Sequence, residues 1–465
     1  MTASARLAEF VTSLRLEDLP AGVREAAKLH ALDTLGCGLA AHGLGEGTFV
    51  HAAAAEVATA GPATAIGRPG GLPAGEAALL NGTLCHLLDF DDTHPDSVVH
   101  VSAAVVPAAL AAAETSGAVS GAELLCALVA GNEISVRLGM AAGGRFHARG
   151  FHPTGVCGVF GATATVAKLR GLSEEQTINA LGIAGSMAGG LLEFLADGAK
   201  TKPLHPGFAA QAALTAVRLA AHGASGPRSV LDGERGFFAA YLNGEETNLA
   251  EQVADLGTRY ETPRIAFKPY PACHYVHAPV DSLAMLIERE GLTADDVESI
   301  TAFSDATGVA LVLEPAADKV RPRTVYDAKF SLPFCLASLL VHGSVDVTTF
   351  AEAAIAESAV LELAMRVRGE VRAYALSPDA FPGGVRVHTR DGRTLEHELR
   401  HQRGGSEFPM STDDIVAKYR FNAGQALTGA AAAGLEEAVL GLDGLRSLTT
   451  FGVLSGALVA ADALV

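Results

Sequence analysis

Near the start of the chain, residues 20–35 read Pro-Ala-Gly-Val-Arg-Glu-Ala-Ala-Lys-Leu-His-Ala-Leu-Asp-Thr-Leu. Proline suits the first turn of a helix, because its φ is fixed near the helical value and its missing N–H is not needed there. The apolar residues that follow recur mostly at steps of three or four, as one face of a helix requires. They are Val23, Ala27, Leu29, Leu32 and Leu35. The stretch therefore predicts an α-helix that opens at Pro20.

The same helical texture continues to about residue 260. Gly, Pro and Ser interrupt a series of Ala/Leu-rich segments, which is typical of helices joined by short loops. The predicted helices are Glu76–Leu88, Ala103–Ala113, Ala122–Leu138, Ser173–Ala184 and Ala209–His222. We therefore predict a mainly α protein in which residues 1–265 form the first part of a large all-helical domain.

Strands are predicted after residue 268, where β-branched residues alternate with polar ones at 297–303 and 385–389. Asp391-Gly392 is typical of a two-residue hairpin turn, whose central positions both need φ > 0. With helices at Ala278–Glu290 and Ser331–Val341, residues 266–405 are expected to form a smaller α+β domain. Residues 406–465 return to the helical texture, so we expect them to complete the first domain and to end in a packed helix at 451–465.

Composition limits the partners and the compartment. A formal charge of −18 repels phosphate backbones and anionic membrane surfaces, so neither nucleic acid nor a membrane is expected as a partner. Six cysteines lie far apart without C-x-x-C or zinc spacing, which indicates reduced thiols. The N-terminus lacks a basic segment followed by an apolar run, and this predicts a cytoplasmic protein.

Ionisable residues concentrate in four segments of an otherwise apolar chain, residues 81–100, 149–158, 197–207 and 267–277. Such density is costly unless the groups are paired or used. His100 and His152 lie in or near Gly/Pro-rich turns and can exchange protons near neutral pH. Lys200, Lys202 and Lys268 offer positive charges for carboxylates. The combination suits a small polycarboxylate substrate, since cations hold the anion, a base removes an α-proton and a cation stabilises the enediolate.

The four segments, in this order and over nearly the whole chain, resemble the MmgE/PrpD family. That family includes 2-methylcitrate dehydratases, cis-aconitate decarboxylases and iminodisuccinate epimerases. The resemblance rests on Asp89-Phe-Asp-Asp-Thr93, Gly150-Phe-His-Pro-Thr-Gly155, Thr201-Lys-Pro-Leu-His205 and Lys268-Pro-Tyr-Pro-Ala272. It implies a large helical domain, a smaller α+β lid domain, a cleft between them, a homodimer, and no metal or other cofactor.

The resemblance also implies residue roles by position. His100 and His152 match the family's acid/base histidines, and Lys202 matches one of its two pocket lysines. Lys268 matches the other, while Asp89 and Thr93 match supporting polar residues. We expect further substrate-binding or supporting residues among Lys200, His205, Tyr270, His274 and Arg321. For these, a backbone hydrogen bond, a helix cap or a solvated charge stays open as the alternative.

Two departures from the decarboxylase branch bear on the reaction. That branch has a His after the Pro-Ala of the fourth segment, where this chain has Cys273 and then His274. It also has a Tyr just before an Arg-Pro step, where this chain reads Asp318-Lys-Val-Arg-Pro322 with Tyr326 beyond it. We therefore expect a metal-independent lyase that dehydrates a 2-methylcitrate-like or citrate-like 2-hydroxy acid. Epimerisation of an iminodicarboxylate such as iminodisuccinate, and cis-aconitate decarboxylation, are the alternatives.

Two other classes of protein are distant alternatives. Asp91, Asp92 and Asp96 could form the magnesium-binding cluster of a helical isoprenoid-type enzyme, but Pro95 would break the helix that presents them. Capping of a helix end and pairing with nearby cations is the other interpretation of these aspartates. A non-enzymatic helical scaffold would leave the four segments unexplained. His86 is predicted to be structural.

Overall fold

The computed structural model describes residues 1–57, 60–117, 119–196, 198–374 and 380–446. Close contacts between Cα atoms divide the chain into two compact units. Unit 1 combines Met1–Ile265 with the chain from Ser411 onward, and unit 2 is Ala266–Met410. The C-terminal helix predicted at 451–465 lies outside the described residues.

The described residues form twenty α-helices and six β-strands, besides short 3-10 turns. The helices are α1 Ala3–Ser13, α2 Ala21–Gly43, α3 Thr48–Val57, α4 Ala74–Leu87, α5 Ser102–Thr115, α6 Gly121–Ala142, α7 Arg145–Ala148, α8 Pro153–Leu169, α9 Glu174–Gly185, α10 Leu204–Ala221, α11 Phe237–Tyr241, α12 Leu249–Ala254, α13 His277–Glu290, α14 Ala306–Val312, α15 Ala316–Lys319, α16 Val325–Lys329, α17 Leu332–His342, α18 Ser358–Ala364, α19 Thr412–Ala423 and α20 Gly429–Leu440. The strands are β1 Ala63–Ala65, β2 Arg68–Leu72, β3 Val297–Ser304, β4 Val367–Val371, β5 Gly383–Thr389 and β6 Thr394–Leu399. The protein is therefore mainly α with a small α+β part.

Unit 1 is built around closely packed helices. α8 packs against α5, α6, α9 and α10, and α10 also packs against α4. The backbones of α4 and α10 touch, since a Cβ on Gly82 would lie 2.7 Å from Gly207 Cα. α19 comes from the last part of the chain and packs against α2. The first and last parts of the chain thus share one core.

The helices predicted in unit 1 are found as α2, α4, α5, α6, α9 and α10. In α2, the predicted residues Val23, Ala27, Leu32 and Leu35 are buried. The all-helical prediction is wrong in one respect, because β1 and β2 form a two-stranded antiparallel sheet. β2 reads Arg-Pro-Gly-Gly-Leu, and Pro and Gly are depleted in strands, so propensity gave no indication of it.

α6 needs a separate comment because it is 22 residues long and apolar enough to cross a membrane. Within the protein, however, 94% of its most apolar window is buried. Its buried side chains include Glu133 and Arg137, which are bonded to each other at 3.2 Å. A core helix passes the same test of length and composition, and we interpret α6 in this way.

Unit 2 contains a four-stranded sheet in the order β4-β3-β5-β6. β3 is parallel to β4 and antiparallel to β5, and β5 is antiparallel to β6. α13 packs against the sheet and against α17, which fits an α+β fold. The predicted hairpin is confirmed, but its loop has three residues rather than two: Thr389 N donates to Arg393 O at 3.0 Å, and Gly392 has φ 89°. A three-residue loop of this kind needs only one position with φ > 0.

We predict that Gly82→Ala destabilises unit 1, because the new methyl group would enter the α4–α10 backbone contact. Overpacking of this type costs about 1–3 kcal/mol, which urea denaturation measures as a lower midpoint. Gly22→Ala is the matched control, since Gly22 also lies in a helix but a Cβ added there would have nothing within 4 Å. An equal loss in both variants would contradict the close approach.

Candidate active site

The turn Asp89–Thr93 follows α4 and contacts residues of its own predicted segment and of one other, 197–207. Asp89 has φ 55°, a left-handed conformation that Asp tolerates better than most residues. Its Oδ1 accepts a hydrogen bond from the Lys202 ammonium at 2.7 Å. Thr93 Oγ1 lies 3.1 Å from His100 Nδ1. Four residues predicted for the site are thus in contact in two pairs.

Asp91, in the same turn, is fully buried and contacts two imidazoles. Its Oδ2 lies 2.8 Å from His86 Nδ1 and 3.2 Å from His100 Nδ1. A carboxylate only accepts hydrogen bonds, so we assign Nδ1–H to both rings and the free lone pair to Nε2. Burial alone would raise the pKa of Asp91, but His86 and His100 hold that pKa well below its usual value.

His152 and His205 extend this group of rings. His152 is the N-cap of α8, and its Nδ1 lies 3.0 Å from His205 Nδ1. The centroid of its ring lies 6.1 Å from that of His100 and 5.6 Å from that of His86. Gly190 permits this packing, since it has φ 131° and a Cβ there would lie 3.2 Å from the His205 ring. The four imidazoles form one contiguous group, which we call the histidine cluster.

Burial disfavours protonation of three members of the histidine cluster, His100, His152 and His205. It lowers the pKa of His100 and of His205 to about 4, and that of His152 well below its usual value. The positive charge of Lys202 acts in the same direction on all three rings. His152 also lies at the positive end of the α8 dipole, which disfavours an imidazolium. His100, His152 and His205 are therefore neutral near pH 7 and can accept protons.

His86 is the member of the cluster that sequence reasoning interpreted as structural. Its ring centroid lies 4.6 Å from that of His100. Its Nε2 is buried and has no hydrogen-bond partner among the described residues. A spacing of five positions between His86 and Asp91, across the end of a helix, was the sequence feature that could have indicated their contact.

Two sets of three side chains have the proximity that a metal site needs, with one ligand atom of each residue within 4.8 Å of the others. The sets are His86, His100 and His152, and Asp89, Asp91 and His100. Lys202 lowers the pKa of His100 and His152, and the same positive charge would repel a metal dication. A metal-independent reaction stays a prediction.

The aspartates of the alternative magnesium cluster have different partners. Asp92 Oδ1 accepts a hydrogen bond from Ser102 N at 3.1 Å and so caps the start of α5. Asp96 pairs with Arg264 at 2.8 Å, and Asp91 is engaged by the imidazoles. The capping interpretation is confirmed for Asp92, and the described residues give no support to a three-aspartate ion site.

The other predicted site residues are placed as follows. In unit 1, the Lys200 side chain is 68% exposed and lies 3.4 Å from Glu46, which agrees with a solvated charge. In unit 2, Lys268 is buried and the Tyr270 hydroxyl donates to Asp281 at 2.7 Å.

His274 also belongs to unit 2, where its ring stacks on Phe381 at 4.9 Å between centroids. Arg321 is exposed. The participation of Lys268, Tyr270, His274 and Arg321 in one site with the histidine cluster stays a prediction.

The depressed pKa values predict how stability depends on pH. An unfolded histidine titrates near pH 6.5, whereas His100 and His205 titrate at about 4 in the folded protein. Between these values the unfolded state binds more protons, so the free energy of unfolding should fall as the pH decreases from about 6.5 to 4. Urea midpoints at pH 7, 6 and 5 measure the effect. A midpoint that is constant or rises toward pH 5 would contradict burial of neutral rings.

Comparisons with known proteins cover nearly the whole chain. Sequence profiles of the MmgE/PrpD N-terminal domain and C-terminal domain match residues 5–250 and 270–443. Human cis-aconitate decarboxylase is 30% identical over 460 residues, which cover 96% of this chain and 92% of the relative. The mouse cis-aconitate decarboxylase is 30% identical, and the matched region covers 90% of this chain and 86% of the mouse protein. The cis-aconitate decarboxylase of Aspergillus terreus is 27% identical, with 96% of this chain and 94% of the relative covered. This chain belongs to the MmgE/PrpD family.

Proposed function

We propose that the protein is a metal-independent lyase for small polycarboxylates, with decarboxylation of a cis-aconitate-like substrate as its first candidate reaction. The observation that carries the proposal is the histidine cluster, in which a buried carboxylate directs the Nδ1–H of His100 and leaves Nε2 with a lone pair. The relatives named above support decarboxylation, because their similarity to this chain covers nearly the full length of both proteins. This order of candidates differs from the sequence-based expectation, which put dehydration first.

The charges of the site suit an anionic substrate. The Lys202 ammonium is paired with the Asp89 carboxylate at 2.7 Å and so already binds one carboxylate. A substrate carboxylate that reaches the site would compete with Asp89 for this ammonium. Negative charge near the cluster favours the protonated form of an imidazole, and would raise the low pKa values of His100 and His152. A proton would then become available where the substrate is bound.

Decarboxylation of a cis-aconitate-like triacid needs one such proton. The bond between the CH2 arm and its carboxylate breaks, and the electrons form a new C=C bond to the central carbon. The original C=C electrons take a proton at the far alkene carbon, and CO2 leaves. We propose that His100 or His152 delivers this proton and that Lys202 stabilises the negative charge that develops on the remaining carboxylates.

Dehydration of a 2-hydroxy acid is the second candidate, and a specific observation favours it. Cys273 stands where the decarboxylase branch has a His directly after Pro-Ala, with His274 only after it, and a Tyr expected before Arg321-Pro322 is missing. The same cluster could remove an α-proton with one imidazole and protonate a departing hydroxyl with another. Epimerisation needs only the proton transfers and follows as a third possibility.

The assay that separates these reactions uses purified protein in EDTA with cis-aconitate, citrate, 2-methylcitrate and iminodisuccinate in parallel. We expect CO2 release from cis-aconitate, with an equimolar alkene product seen by NMR. Alkene formation from 2-methylcitrate without CO2 would favour dehydration, and loss of chirality alone would favour epimerisation. Turnover of none of the four compounds would refute the proposal. Activity that returns only when a divalent metal is added would refute metal independence.

Substitutions in the cluster should affect the chemical step. His100→Ala or His152→Ala is expected to lower kcat at least about 100-fold, the usual worth of a positioned acid or base, without loss of folding. Lys202→Met and Lys268→Met should raise KM, since both lysines are proposed to hold carboxylates. His51→Asn is a matched control. Burial, as the largest cause, lowers the pKa of His51 to about 4, as it does for His100. The His51 ring, however, lies 3.2 Å from His42 and does not belong to the histidine cluster. A folded His100 or His152 variant with near-normal kcat would remove that residue from the mechanism.

A further inference from the structure

Alternate residues of the Asp89–Thr93 turn have partners in different parts of unit 1. The first, third and fifth residues contact Lys202 and the histidine cluster. Phe90 and Asp92 instead contact α19 and α2. The turn is therefore held from a side that takes no part in the proposed chemistry.

Lys418 is a buried cation on α19 that reaches the backbone of this turn. Its ammonium donates to the Phe90 carbonyl at 2.8 Å and lies 2.7 Å from Asp33 Oδ1 on α2. It also lies 3.8 Å from the centroid of the Phe90 ring, which makes a cation–π contact. One side chain thus links α19 and α2 to the main chain between two carboxylates of the site.

α2 makes a second contact with the turn through His30, which precedes Asp33 by three residues. His30 Nδ1 lies 2.8 Å from Asp92 Oδ2, and both residues are almost completely buried. The same carboxylate oxygen accepts a hydrogen bond from Ser102 Oγ at 2.5 Å. The turn is consequently fixed at two positions, residues 90 and 92, on the side of α2.

We propose that Lys418 and Asp33 are positioning residues for the lyase reaction of the neighbouring site. By holding the Phe90 carbonyl, they keep the carboxylates of Asp89 and Asp91 at fixed distances from the lysine and the imidazoles that these carboxylates orient. The inference rests on the proposed function for its kinetic consequence, although the mechanical role of the pair stands on the contacts alone. The two residues act through the turn and are not catalytic.

The energetics of buried ion pairs separate positioning from stability. Desolvation largely offsets the attraction between two buried charges, so an apolar pair of similar volume often stabilises a protein equally well. Removing only one partner leaves the other buried and unpaired, which is strongly destabilising. An apolar replacement of both residues can therefore restore stability, but it cannot restore the hydrogen bond from Lys418 to the Phe90 carbonyl.

Lys28 offers a matched control. It is buried on the same helix α2, donates to the Leu440 carbonyl at 3.1 Å and bonds Asp443 at 3.0 Å. It too joins α2 to the last part of the chain through a backbone carbonyl and a carboxylate, but its partners lie at the end of α20 and beyond it. Lys28→Met thus removes a similar link without touching the turn.

The test compares Lys418→Met, Asp33→Leu/Lys418→Met and Lys28→Met with the wild type. The double variant should recover most of the thermal stability that Lys418→Met loses. Its kcat should nevertheless stay about 100-fold below the wild-type value, because a displacement of about 1 Å in reacting groups costs this much, while KM changes little. Lys28→Met should keep the wild-type kcat.

Hydrogen exchange measured by mass spectrometry gives a second readout that needs no substrate. Peptides that contain residues 89–93 should exchange faster in the double variant and at the wild-type rate in Lys28→Met. A double variant that keeps wild-type kcat, shows unchanged exchange or fails to fold overturns the inference, since the pair would then serve the fold alone. A wild-type protein inactive on every polycarboxylate counts only against the proposed function, and exchange then decides the role of the pair.

Discussion

The carboxylate of Asp91 has no access to solvent, and its burial constrains the residues around it. An unpaired buried charge costs far more than the net stability of a domain, so the two imidazole N–H groups that meet it have to stay in place. These groups come from His86 in α4 and from His100 just before α5. Since α8 packs against α5, and α10 packs against both α4 and α5, His152 and His205 lie beside the same rings. One buried charge therefore holds two of the four rings, and the other two pack beside them.

Local patterns predicted most helices of unit 1 because a repeat of three to four residues can be read without knowing what covers the helix. α2 is the best example, with its apolar face and Pro20 visible in sixteen residues. The strand β1 was missed because its three residues are too few to show a period, and β2 was missed because Pro and two Gly interrupt its five residues. α8 was hidden for another reason: Pro153 and the glycines after it suggest a turn, although Pro is common at the first position of a helix.

The site was predictable only in part. Motif resemblance located His100, His152, Lys202 and Asp89, which the structure brings into contacts within unit 1. Local spacing did not assign His86 to the cluster, since a single histidine in an apolar helix is usually a satisfied core residue. Lys418 and Asp33 left no trace in the sequence because a lysine and an aspartate 385 positions apart share no local pattern. Such supporting contacts become visible only when tertiary packing is known.

The assembly of unit 1 from two separated parts of the chain has a consequence for its biosynthesis. At an elongation rate of about 5–20 residues per second, the 385 positions between Asp33 and Lys418 take roughly 20–80 s to translate. During this time α19 has not been synthesised, so the Asp33 carboxylate and the Phe90 carbonyl lack their contacts with the Lys418 ammonium. The ribosome-bound chain exposes an apolar helix face of the kind that chaperones bind. The contacts of Lys418 with Asp33 and with the Phe90 carbonyl are thus late events, which follow the synthesis of the whole of unit 2.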